Sequence, residues 1–408
     1  MAGITLRSKL LLTTCAMTRT TDLVAHWRGA TPFLPKLFVL RYANMGGLDP
    51  QEFAGQIRAA RSFRADRWCD HWNRIAALHL RRCDAKLRDL GRRDGFADVP
   101  DLDDAGSITD EQIGVLQNIV GPGAVLFADH GPQPSAQAID ALVAALDDSD
   151  RSRVVAAFEV IDTWVKALTY FQVSAFPGHD PHRMAAYRRS RDLFDVLVRV
   201  LAPSIDVHVE QVDVTASDGQ TVRGWLILPS TPGPHPVVLT TNGLEGTIQE
   251  LAVALLRYRG AGLATFLMEM PGSYAYAEPM SRESEAIYRA VIDRLASDDR
   301  LDPGGIAFVG VSFGGVLGGA HGRHRLPPRV RRGVRRPHPP LLPRWFRHAR
   351  RDHPRAGADP RRHQPDRARP PSARAVHSRS LRRHHDSAVG HQRHSRHAAQ
   401  HPGHHRPG

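Results

Sequence analysis

Ser312 stands at the centre of Gly310-Val-Ser312-Phe-Gly314, between the apolar run Ile306-Ala-Phe-Val309 and the small residues Gly315-Val-Leu-Gly-Gly319. A strand, a sharp turn with serine at its apex and then a helix would lift the hydroxyl of Ser312 clear of a sheet as a nucleophile. The residue types suit that turn. Glycine two positions to either side leaves room for a strained backbone. The helix N-terminus behind the turn favours negative charge developing on a carbonyl under attack. The pattern alone is modest, since a chain of this length has roughly a one-in-ten chance of containing it. A Gly-rich structural turn is the alternative. The strand before Ser312 and the units upstream favour the nucleophile elbow.

The elements that must position Ser312 begin near Pro203. Val207, Val209, Val212 and Val214 alternate, Ser217-Asp-Gly219 makes a turn, and residues 222–228 return, which reads as a β-hairpin. Residues 229–236 are a Pro/Gly connector. Residues 237–241 read as a buried strand and 248–259 as a helix closed by Gly260-Ala-Gly262. Residues 263–268 and 305–309 read as further strands, with a helix over 281–295 between them. Alternating strands and helices imply a parallel sheet with crossover connections.

Upstream of the hairpin the pattern is helical. Trp68, Trp72, Ile75, Leu78, Leu87 and Leu90 are spaced for one face of a helix within residues 50–92. The acidic stretch 94–110 reads as a loop, and Ser135 as an N-cap for Ile139, Leu142, Val143 and Leu146. Helices are expected over 153–171 and 184–201, separated by the breaker Phe176-Pro-Gly-His-Asp-Pro181.

The 408 residues carry a net charge of +13, but the charge is uneven. Residues 321–408 hold 23 Arg, no Lys, 15 His, 13 Pro, 4 Asp and no Glu, a net charge of +19. Residues 1–320 are left with 32 basic and 38 acidic residues. The basic character therefore belongs to the tail, and averaging it over the chain would misleadingly point to a nucleic-acid binder. An Arg-rich arm for phosphates is one reading of the tail, and a His-rich metal-binding tract with His384-His385 and His404-His405 is another. We favour a third, the out-of-frame translation of a GC-rich gene, which yields Arg, Pro, His, Ala and Gly while losing Lys. His321-Gly-Arg-His-Arg-Leu326 uses codons CAY GGN CGN CAY CGN CTN. Moved by one base these allow Met-Ala-Ala-Thr-Asp-Ser, a fitting continuation of a helix after the elbow.

Three scattered cysteines, Cys15, Cys69 and Cys83, fit reduced thiols in a cytoplasmic protein. No apolar run reaches membrane-spanning length. The core Leu10-Leu-Leu12 is too short for a secretory signal, and Met17 offers a second possible start.

A hairpin followed by β-loop-α-β-α-β, with serine after the last strand, is the order of an α/β-hydrolase up to its nucleophile. The stretch 184–315 resembles one branch of that superfamily, which holds the fermentation–respiration switch protein family and the dihydroxy-pseudo-oxynicotine hydrolase type, related to dienelactone hydrolases. The residues that carry the resemblance are Tyr187-Arg-Arg-Ser-Arg191, Gly224-Trp-Leu-Ile-Leu-Pro229, Pro236-Val-Val-Leu, Asn242-Gly-Leu-Glu-Gly246, Met270-Pro-Gly272 and Gly310-Val-Ser-Phe-Gly-Gly315. It implies Ser312 as nucleophile, with the backbone N–H groups of Phe313 and Leu244 as oxyanion donors. Asn242, Gly243, Glu245 and Tyr274 would line the substrate pocket. For Glu245 a plain helix N-terminal acid is the alternative, and for Tyr274 and Tyr276 simple packing.

The resemblance implies an ester or related small carbonyl substrate, an acyl-enzyme, and no cofactor or metal. Neither a specific nucleic acid nor a membrane is an expected partner. A serine nucleophile needs a base, normally His oriented by Asp, on loops after later strands. Residues 321–408 offer His and Asp but no apolar strand to hold them, so no triad Asp or His is assigned. His130, His179 and His208 precede Ser312, against the family order. The expected organisation is a poorly defined N-terminus at 1–20, a helical, cap-like region at 21–202, an α/β core with a parallel sheet at 203–320, incomplete after the elbow, and the tail at 321–408. A non-catalytic protein with a basic, nucleic-acid-binding tail is the competing class, and a decayed product with neither property is a third.

Overall fold

The computed structural model describes residues 6–311 apart from Pro35, Leu244, Ala277 and Arg282. Ser312, Phe313 and the tail lie outside the described residues, as does Leu244.

Residues 6–201 are helical. The helices are α1 (Leu6–Thr18), α2 (Thr21–Arg28), α3 (Lys36–Gly46), α4 (Pro50–Ala59), α5 (Ala65–Arg93), α6 (Asp110–His130), α7 (Ala136–Val143), α8 (Asp148–Ala175) and α9 (Pro181–Leu201). Helix α5 buries Trp68, Trp72, Ala76, Leu80, Cys83, Leu87 and Leu90, one stripe at three- and four-residue spacing. Leu78, expected on that face, is exposed, because the stripe runs through Ala76 and Leu80 instead. Residues 50–92 divide at 60–64 into α4 and α5, with Asp49 Oδ1 accepting the N–H groups of Gln51 and Glu52 at the start of α4.

Helix α8 is buried on most sides from Ala157 onward and lies among α5, α6 and α9. Buried indoles need a partner for their N–H. Trp68 Nε1 donates to the Val173 carbonyl (3.0 Å) and Trp164 Nε1 to that of Leu193 (3.1 Å). Helix α6 has no counterpart in the sequence-based expectation. The helix runs through Gly121-Pro-Gly123. It starts at a capping box in which the Gln112 N–H meets Thr109 Oγ1 (3.3 Å) and the Thr109 N–H meets Gln112 Oε1 (2.9 Å). The reason for glycine at 123 is packing. A Cβ there would lie 2.3 Å from the backbone nitrogen of Phe158, so α6 and α8 touch backbone to backbone.

After α9 come β1 (Val207–Thr215), β2 (Thr221–Pro229), β3 (His235–Thr241), α10 (Ile248–Leu255), β4 (Ala264–Met268), α11 (Glu285–Ala296) and β5 (Leu301–Gly310). Among the described residues the sheet order is β1-β2-β4-β3-β5. The hairpin β1–β2 is antiparallel and β2 joins β4 antiparallel, while β3 pairs parallel with both β4 and β5. The sheet is therefore mixed rather than wholly parallel, because the hairpin is continuous with the core. Side chains alternate across β2: Trp225 and Ile227 enter the core shared with the helical region, and Leu226 and Leu228 enter the core under α11. A mostly helical N-terminal region followed by this mixed sheet is consistent with an α/β-hydrolase fold.

The contact of α6 with α8 makes a direct test. Gly123→Ala should destabilise the chain by about 1–3 kcal/mol, since neither backbone can yield without shifting a helix. Gly114→Ala on the same helix has open space around the new methyl group. It should stay within about 1 kcal/mol of the parent, on the stabilising side. Urea denaturation of both variants checks this.

Candidate active site

Parallel strands β3, β4 and β5 run in the same direction, so the loops at their carboxyl ends converge, which is where open α/β sheets bind ligands. Register sets Thr241 at the end of β3 beside Met268 of β4 and Gly310 of β5. The Val311 N–H donates to the Thr241 carbonyl at 3.0 Å, so the chain leaves β5 immediately next to Asn242. Val311 is the residue before Ser312. The expected nucleophile and its expected oxyanion loop thus follow neighbouring strand ends.

Asn242 is buried, and its Oδ1 accepts the N–H of Met270 at 2.8 Å, tying the loop after β3 to the loop after β4. Its Nδ2 is buried without a partner among the described residues. The Gly243 carbonyl accepts the Gly246 N–H at 3.2 Å, closing a tight turn. Within the turn Glu245 holds φ at +57°, a left-handed backbone that a residue with a Cβ rarely adopts.

The side chain of Glu245 is engaged with the helical region. Its Oε2 accepts the Gly178 N–H (2.8 Å) and the Tyr274 hydroxyl (2.9 Å). It is Glu250 that serves the start of α10, its Oε1 lying 3.4 Å from the Thr247 N–H. Glu250 also receives Arg41 of α3 through two bonds of 2.6 Å, Nε to Oε2 and Nη2 to Oε1. Arg41 Nη2 makes a further bond of 2.7 Å to the Glu245 carbonyl. Tyr274 is buried and stacks on Tyr187 of α9, with ring centroids 5.1 Å apart and planes at 13°. Burial holds the Tyr274 phenol well above its ordinary range, and the adjoining Glu245 carboxylate adds to the effect.

A fourth group here escapes sequence reasoning. Glu269 follows β4 directly and is 1% exposed. The Tyr187 hydroxyl lies 3.1 Å from both of its carboxylate oxygens, and the Ala275 N–H donates to Oε2 at 3.0 Å. Arg191 is farther off, Nη1 to Oε1 at 3.9 Å, because its Nε is engaged with Asp195 Oδ1 at 2.9 Å. Trp225 Nε1 donates to that same Asp195 oxygen at 2.9 Å. Burial pushes Glu269 up to about 7, against the pull of Arg191 and the hydrogen bonds from Tyr187 and Ala275. A carboxyl after an apolar strand and before Met270-Pro-Gly272 looks like an ordinary loop acid; the one available signal was that no glycine or proline separates it from the strand.

Among the described residues no His, Cys, Asp and Glu side chains are grouped so as to hold a metal ion, and no helix is long and apolar enough to cross a membrane.

The segment with this geometry, from the end of the helical region through β5, matches known proteins. Residues 150–325 match the FrsA-like esterase family. The match takes in α9, all of the described sheet and the Ser312 pentapeptide. Among relatives, the 2,6-dihydropseudooxynicotine hydrolase of Paenarthrobacter nicotinovorans is 28% identical over 146 residues, covering 35% of this chain and 38% of the relative. Esterase FrsA of Escherichia fergusonii is 23% identical over 153 residues, covering 37% of this chain and 36% of that one. The chain thus spans well under half the length of these curated relatives. A crystal structure of 2,6-dihydroxy-pseudo-oxynicotine hydrolase aligns at 20% identity and a TM-score of 0.35, covering 49% of this chain and 59% of that one. The FrsA-like segment begins at Asp150, inside α8, so the helical holders Gly178, Tyr187 and Arg191 fall within it and Arg41 falls outside.

Glu269 gives a signed pH prediction. Its folded pKa, about 7, is raised above the ordinary 4.5, so the folded chain holds this proton more tightly than the unfolded one. The stability it contributes is complete below the unfolded value and is lost as pH rises through about 7. Glu269→Gln should remove a loss on the order of 3 kcal/mol between about pH 5 and pH 8. Urea unfolding of parent and variant at both pH values measures the difference, and parallel profiles would contradict the assignment.

Proposed function

We propose that this chain is a serine hydrolase of the esterase type, with Ser312 as nucleophile. One observation carries the reading: the FrsA-like match at 150–325 includes Gly310-Val-Ser312-Phe-Gly314, and Val311 leaves β5 hydrogen-bonded beside the loop that begins at Asn242. Ser312 Oγ attacks the carbonyl of an ester or related small molecule, its proton passing to the base that is left unassigned and from there to the departing alcohol. The N–H groups of Phe313 and Leu244 receive the oxyanion, collapse expels the alcohol, and water releases the acid from the acyl-enzyme. Hydrolysis of a C–C bond next to a carbonyl is the close variant. Acyl transfer differs only in whether water reaches the intermediate. Asn242, Gly243, Glu245 and Tyr274 line the substrate pocket, and the helical region shapes it from outside the sheet. The site is cytoplasmic in this reading.

The triad Asp and His are left unassigned. Family order puts them after Ser312, where the composition turns to Arg, His and Pro at residue 321, four residues before the family match ends. Out-of-frame translation from near Ala320 accounts for both facts and implies that this form is impaired. The +19 tail supports one rival, a non-catalytic protein that binds nucleic acid through charge.

A fluorophosphonate probe should label the parent and leave Ser312→Ala unlabelled. Equal labelling of both would reject Ser312 as nucleophile. Sequencing the gene across codons 300–340 should reveal a one-base shift that restores strand–helix alternation with an Asp and a later His. An uninterrupted frame would leave the chain without a triad and favour the non-catalytic reading.

A further inference from the structure

We infer that Arg41 is a positioning residue for the oxyanion loop: it fixes the turn at 242–246 from a helix more than 200 positions away in sequence. The inference rests on the proposed esterase reading, because it takes that turn as the oxyanion loop.

Three observations combine. Glu245 holds a left-handed φ of +57°, which persists in a residue with a Cβ only where surroundings enforce it. Arg41 reaches both the Glu245 carbonyl and the Glu250 carboxylate, and so spans the turn and the first turn of α10 that follows it. Its guanidinium packs over the Tyr42 ring at 5.1 Å, and its side chain is 22% exposed against 6% for Glu250.

A planar fork with several N–H groups suits this task, and a lysine ammonium does not reproduce it. The Glu245 side chain is meanwhile held from the other side by Gly178 and Tyr274. The turn is therefore gripped at its carbonyl and at its carboxylate by different parts of the helical region. Holding a turn at two points preorganises it, which is how an oxyanion site stabilises a transition state without reorganising during reaction. Arg41 touches no reacting atom in this scheme. Its loss should appear in the chemical step and spare substrate binding.

The test uses the full chain with p-nitrophenyl acetate and a fluorophosphonate probe. Arg41→Ala should lower kcat and the maximal labelling rate by between about tenfold and a hundredfold. KM should stay within about twofold of the parent. Added guanidinium ion should restore part of the rate, because the truncated site is open to solvent at one end. Arg41→Lys should fall between the two and gain nothing from guanidinium. Hydrogen exchange gives a readout independent of activity. The amides of residues 243–247 should exchange about tenfold faster in Arg41→Ala, with α5 and α8 unchanged. Parent-like labelling by Arg41→Ala would overturn the inference. If the parent itself takes no label, as an impaired form without a base would not, exchange alone decides Arg41: faster loop exchange supports the grip and unchanged exchange overturns it. Should Arg41→Ala fail to fold, Arg41→Lys serves both measurements, since it keeps the charge against Glu250 and loses the fork.

Discussion

Buried carboxylates must be met by donors, and the arrangement around the strand ends depends on that constraint. Glu245, Glu250 and Glu269 lie in or next to the loops after β3 and β4, and each is answered by a group from the helical region. Gly178 answers Glu245, Arg41 answers Glu250, and Tyr187 answers Glu269. The sheet would pack against helices through apolar contact alone, since Phe194, Leu197 and Leu201 meet Ile227 and Trp225 in one core. Apolar contact is non-directional and leaves loops free to settle in many ways. The acid–donor pairs remove that freedom at the crevice.

Those pairs have unequal ionic character. Arg41 and Glu250 form a close, two-bond ion pair. Arg191 is committed to Asp195, and Glu269 is left with a phenol, a peptide N–H and a distant guanidinium. Its ionised form is therefore poorly supported, and a proton is the cheapest partner available to it. Burial, with the one nearby arginine occupied elsewhere, thus raises Glu269 to about 7, while Glu250 holds an arginine on both of its oxygens.

Much of the fold was legible. The hairpin, β3 to β5 and helix α9 declare themselves, because valine-rich alternation suits a strand and apolar spacing of three and four residues suits a helix. Helix α6 was hidden by Gly121-Pro-Gly123, where glycine serves a backbone contact that only the folded helices reveal. The parallel direction of β3, β4 and β5 was legible from the alternation of strands and helices, while their spatial order and the antiparallel seam of β2 with β4 were not. Asn242, Glu245 and Tyr274 stood out through their place after strands; in the structure Asn242 is bonded to Met270, and Tyr274 to Glu245. Arg41 and Tyr187 were not legible as holders, since contacts spanning 204 and 82 positions leave no periodic trace. Ser312, Phe313 and Leu244 belong to the same reading and lie outside the described residues.

The order of these elements along the chain has a consequence for synthesis. A ribosome delivers Arg41, Gly178, Tyr187 and Arg191 before it delivers residue 242. Trp68, Trp72, Trp164 and Phe127 are buried together within that earlier portion, so a core exists for it to form around. The turn at 242–246 then emerges ahead of β4 and β5, with two of its donors, Arg41 and Gly178, already made and Tyr274 still to come. A newborn chain can thus mould the turn on an existing surface, and the most strained residue of the crevice is shaped while the sheet is still being made.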